Sequence, residues 1–91
     1  MIGVVHVECM LYEASHLKQK RAVLQSVKTK LKQRNLSVAE TDYQELWQRA
    51  ALSIVTVHNE KAGAEKELQR AIHMIESYTE WEITSVHYEW L

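Results

Sequence analysis

Ninety-one residues hold this chain to one domain, because polypeptides divide into separate cores only when far longer. An apolar fraction of 46% and a charged fraction of 25% are those of an ordinary globular protein, which excludes a disordered or fibrous chain. Eleven basic against twelve acidic residues leave a net charge of −1, so any attraction to a polyanion must come from a local field.

There is no proline, and the only glycines are Gly3 and Gly63, so no segment reads as a linker or repeat. No apolar stretch approaches the ~20 residues that span a bilayer. The N-terminus lacks a cationic region followed by an apolar one. The single cysteine, Cys9, has no internal disulfide partner. These features point to a cytoplasmic protein with no membrane association.

Residues 2–12 alternate, with Val5, Val7, Cys9 and Leu11 on one face, and predict a strand. Ser15 is placed to cap a helix, and Leu17, Leu24, Val27 and Leu31 recur at helical spacing down to Arg34, with Asn35 as a stop. Residues 36–42 predict a short second strand. Residues 50–58 predict a third, rich in Ile, Val and Thr. Asn59 is placed to cap a second helix, whose apolar stripe is Ala64, Leu68, Ala71, Ile72 and Ile75, ending near Ser77. Residues 81–90 alternate again as a fourth strand.

The order βαββαβ in one domain, residues 1–91, predicts an α+β ferredoxin-like plait. Right-handed crossovers would give an antiparallel four-stranded sheet of order 4-1-3-2 with both helices on one face. The other face would carry Ile2, Val4, His6, Glu8 and Met10, apolar enough at one end to suggest a homodimer through it or along an edge strand. Trp81 or Trp90 would join that face in some registers.

Charge is unevenly spread. Between Ala14 and Ala39 there are seven basic residues and no acid, and from Glu76 onward four acids and no base. At 100° per residue, Lys18, Arg21, Gln25, Lys28 and Lys32 fall in one stripe beside the apolar face of the first helix. Such a stripe can track phosphates. The same end of the plait should gather three distant segments: Ser15–Arg21, Tyr43–Arg49 and Tyr78–Trp81. There, a helix N-terminus with Ser15, Lys18, Lys20 and Arg21, together with Trp47, Gln48 and Arg49, would suit an anion and a stacking base. The plainer alternative is that Trp47 folds over the core and Arg49 pairs with an acid.

No catalytic constellation, metal motif or cofactor motif is present. Acylphosphatases share this size and fold, but their glycine-rich phosphate loop is replaced here by Tyr12-Glu13-Ala14-Ser15. The first and third strands also lack the stacking aromatics of an RNA-recognition motif. His6 and His87 should lie on adjacent strands, but no ligand spacing pins a metal.

Ser15, Leu17, Lys18, Lys20 and Arg21, followed by Val38-Ala39-Glu40 and Leu46-Trp47-Gln48-Arg49-Ala50, resemble the motifs of the YlxP-like family of small bacterial proteins of unknown function. His16 interrupts the first motif, and Tyr43 stands where the family usually has histidine. The resemblance spans the chain and implies a ferredoxin-like fold, a bacterial cytoplasmic setting and genes beside translation and ribosome-maturation factors. It implies no activity. Together these readings favour a non-enzymatic protein that binds RNA or a ribosomal component. The alternatives are a small-anion or nucleotide-binding module at the first helix N-terminus and a homodimeric interaction domain.

Overall fold

A computed structural model describes residues 1–91. The elements are β1 (Ile2–Met10), α1 (Leu17–Gln33), β2 (Ser37–Asp42), β3 (Arg49–Val57), α2 (Lys61–Glu76) and β4 (Glu82–Trp90). The strands form one antiparallel sheet of order β2-β3-β1-β4, which is the expected plait. Val5, Val7 and Cys9 of β1 and Ala50, Leu52 and Ile54 of β3 face the helices. They pack on Val23, Leu24, Val27 and Leu31 of α1 and on Leu68, Ala71, Ile72 and Ile75 of α2.

The element ends differ from the predicted ones for local reasons. His16, not Ser15, is the N-cap of α1: its backbone is extended and its Nδ1 accepts the Gln19 N–H at 3.4 Å. Ser15 completes a reciprocal arrangement, donating its own backbone N–H to Gln19 Oε1 at 2.7 Å. At the other end Asn35 adopts a left-handed φ of 62°, and Asn35 and Leu36 donate to Lys32 O and Leu31 O. That closure stops the helix as expected and turns Leu36 into the core instead of into β2. Asn59 does not cap α2. Glu60 is the N-cap, and the His58 imidazole accepts its backbone N–H at 3.1 Å.

Neither Trp81 nor Trp90 reaches the open face. Trp81 is buried and donates its indole N–H to Ile75 O at 2.8 Å. Trp90 pairs opposite Gly3 on the helix side. A Cβ at Gly3 would lie 2.6 Å from the Trp90 ring and 3.1 Å from Leu68 Cδ1. Gly3→Ala should therefore cost about 1–3 kcal/mol through overpacking, measured by thermal or urea unfolding. The apolar end of the open face reduces to Ile2 and Val57, since Val4 is buried.

Burial pushes the Cys9 thiol up to about 12 from its ordinary 9.0. The folded state holds the neutral thiol while an unfolded chain ionises, so this contribution is intact below pH 9.0 and lost between 9.0 and about 12. Burial raises the Tyr88 phenol and adds a loss of the same sign at alkaline pH. Urea midpoints should fall across that window, and Cys9→Ala should flatten the fall.

Candidate nucleic-acid interface

Five positions form one flank of α1: Lys18, Arg21, Gln25 and Lys32, which are exposed, and Lys28, which is half-buried. No carboxylate lies within 4.0 Å of any of its four cations, because the ion pairs of the chain are His6–Glu89, Lys20–Glu40, Arg34–Glu67, Arg49–Glu8 and Arg70–Glu67. This flank faces the β2 side of α1. The neighbouring Lys20 contacts Glu40 of β2, whereas Ser26 and Lys30 on the other flank contact Tyr78, by a 2.7 Å hydrogen bond and a 4.8 Å cation–ring contact. A helix flanked by unpaired cations and lacking acids in its first turn carries a concentrated positive field.

Lys20 does not belong to that surface. Its side chain is 0% exposed, and its ammonium donates to Tyr43 O at 2.5 Å and Leu46 O at 2.6 Å while lying 2.9 Å from Glu40 Oε2. The Glu40 contact is ionic and off the line of a hydrogen bond, leaving Oε2 without a hydrogen-bonded partner. Lys20 thus fastens α1 to β2 and supports the β2–β3 loop from beneath.

That loop holds Leu46 and Trp47 out into solvent, Trp47 being 47% exposed. Tyr43 takes a left-handed φ of 61°, steadied by Asp42 Oδ1 accepting its backbone N–H at 2.7 Å. Gln48 joins the loop to the β1–α1 connection: its carbonyl accepts from Leu11 at 2.9 Å and its amide reaches Ala14 O at 3.4 Å.

The three distant segments do meet one end of the fold, but on two sides of α1. Tyr43–Arg49 borders the β2 side. Tyr78–Trp81 borders the other, across an open groove of about 640 Å³. Arg49 turns onto the open sheet face, where it pairs with Glu8 at 2.9 Å and lies 4.0 Å above the Tyr43 ring. It does not join Lys18 and Arg21, which ride on the opposite face. The Tyr43 phenol is held above its usual range, chiefly by the neighbouring Glu8 carboxylate.

Strand register, invisible in the sequence, sets His6 directly between Ser53 and His87. His6 Nδ1 lies 2.7 Å from Ser53 Oγ, Nε2 lies 2.9 Å from Glu89 Oε1, and the His6 and His87 rings stack 6.1 Å apart. The order hydroxyl–imidazole–carboxylate resembles a nucleophilic relay. Ser53 sits on β3, which is paired on both edges. Ladder bonds commit the backbone N–H groups that acyl transfer would need for its oxyanion, so the cluster reads as a polar network across three strands.

Residues 2–88 match the family described as a protein of unknown function (DUF503). The chain belongs to this family. It is 42% identical over 91 residues to the "Uncharacterized protein YlxP" of Bacillus subtilis (strain 168), with 99% of each chain covered. Among solved structures it is similar to the "De novo designed protein Foldit4", with a TM-score of 0.66 over 100% of this chain and 99% of that one. At 14% identity that likeness concerns the fold alone.

Proposed function

We propose that this member of the family is a non-enzymatic, cytoplasmic RNA-binding protein that works in association with the ribosome and grips structured RNA along α1. The observation that carries this reading is the row Lys18, Arg21, Lys28 and Lys32 on one flank, Lys28 half-buried and the others exposed, with no acid in pairing distance. Phosphates spaced along a strand suit a row of cations spaced along a helix. Trp47, exposed beside the same flank, supplies a flat surface on which a base can stack. A single small anion at the helix N-terminus is less favoured, because the His16 imidazole already accepts the Gln19 N–H of the first turn.

Binding of a structured RNA hairpin, followed by fluorescence anisotropy from about 0.05 to 0.4 M KCl, tests the proposal. Four phosphate contacts should give a log–log salt slope of about −3 to −4. No binding at the lowest salt, or a slope near zero, would overturn it.

A further inference from the structure

An open groove lies on the flank of α1 away from the cationic row. Leu11–Ala14 of the β1–α1 connection forms one wall and Tyr78–Glu82 the other, with Gln19, Ala22, Val23 and Ser26 of α1 along the side. At about 640 Å³ it falls within the range of ligand sites, and it is an open groove, so an extended chain can lie through it.

Its polar groups are unequal in their satisfaction. Ser26 and Tyr78 bond one another at 2.7 Å, Gln19 is taken by Ser15, and the Trp81 indole is taken by Ile75. Glu13 and Glu80 are exposed at the groove, Glu82, in register with Met10 of the open face, borders it, and no lysine, arginine or histidine pairs with any of them. No cation lines the groove. The same groove is lined by Tyr12, which is exposed, and Tyr78, whose ring already accepts the ammonium of Lys30 at 4.8 Å. Carboxylates and aromatic faces together are the groups that receive a guanidinium or an ammonium on an aliphatic stem. The same charge pattern repels phosphate.

We infer that this groove is a docking site for an arginine- or lysine-bearing extended segment of a partner protein. Glu13 and Glu80 would pair with its cations, Glu82 would add negative field at the rim, and Tyr12 would cover a side-chain stem. The inference goes beyond RNA binding and does not depend on it. α1 would then separate a polyanion on one flank from a basic polypeptide on the other.

Titration of the ¹⁵N-labelled chain with an arginine-rich peptide, with free arginine in a parallel arm, tests this. The peptide should shift the amides of Tyr12, Glu13, Thr79 and Glu80. The triple variant Glu13→Gln, Glu80→Gln, Glu82→Gln, all at exposed positions, should weaken it by about tenfold or more while melting like the wild type. Tyr12→Ala should weaken it in the same experiment. Shifts confined to the Glu8 and Glu89 face, or undiminished binding by the triple variant, would overturn the assignment. So would free arginine binding as tightly as the peptide, since that marks a small-amine site. The triple variant should keep its RNA affinity. Loss of RNA binding with peptide binding intact would refute only the reading of the cationic row.

Discussion

Lys20→Met should destabilise the protein by about 3–5 kcal/mol, lowering the melting temperature by some 15 °C or more. The size follows from what is left behind. Removing the ammonium strands the Glu40 carboxylate, only 15% exposed, and withdraws the donor from two loop carbonyls, Tyr43 O and Leu46 O. A buried charge without its partner costs far more than a surface pair yields. The double variant Lys20→Met, Glu40→Met should recover a large part of the loss, because both charges leave together. Urea unfolding of these two variants and of Glu40→Met completes the cycle, and an additive result would mean that the two groups act independently. A loss below about 0.5 kcal/mol for Lys20→Met would place Lys20 on the surface after all.

Lys28→Glu with Lys32→Glu should leave folding nearly unchanged and weaken structured RNA by about 30-fold or more at 0.15 M salt. Each lost phosphate contact is worth about five- to sixfold at that salt by counterion release, and reversal adds repulsion. The salt slope should fall by about two. Neither residue contributes to the buried core or pairs with an acid, so the expected change in stability is small. Anisotropy titrations of both proteins, with a circular-dichroism melt as the folding control, make the comparison. Equal affinity for the two would remove α1 from the interface.

These two variants mark where the sequence was legible and where it was not. Alternation in residues 2–12 and the helical recurrence of Leu24, Val27 and Leu31 are direct consequences of one-sided burial, so strands, helices and topology could be read from them. Ends were less legible because they depend on side chains competing for the same backbone groups. At α1 His16 won the cap over Ser15, and at α2 the helix begins one residue later than a cap at Asn59 would set, with the His58 imidazole accepting the Glu60 N–H.

Lys20 is the instructive case within the site. Its charge grouped it with the neighbouring cations, yet its helical angle falls among Leu24, Val27 and Leu31 on the buried side. A lysine there needs an inward-facing acid, and Glu40 shares the inward phase of Val38 on β2. The Lys20–Glu40 pair therefore joins the two motif segments that resembled the family, and does so structurally. Arg49 was misplaced for a related reason: strand phase decides its face, and it lies with Glu8 and Tyr43 away from α1. The His6–Ser53–Glu89 network needed three-strand register, which no single sequence supplies.

The most direct test of binding along α1 is a ¹⁵N-NMR titration of the whole chain with structured RNA at low salt. Perturbations should cluster at Lys18, Arg21, Gln25, Lys28, Lys32 and the Trp47 indole, and fade as salt rises. Perturbations centred instead on His6, Ser53 and His87, or none at any RNA concentration, would contradict it.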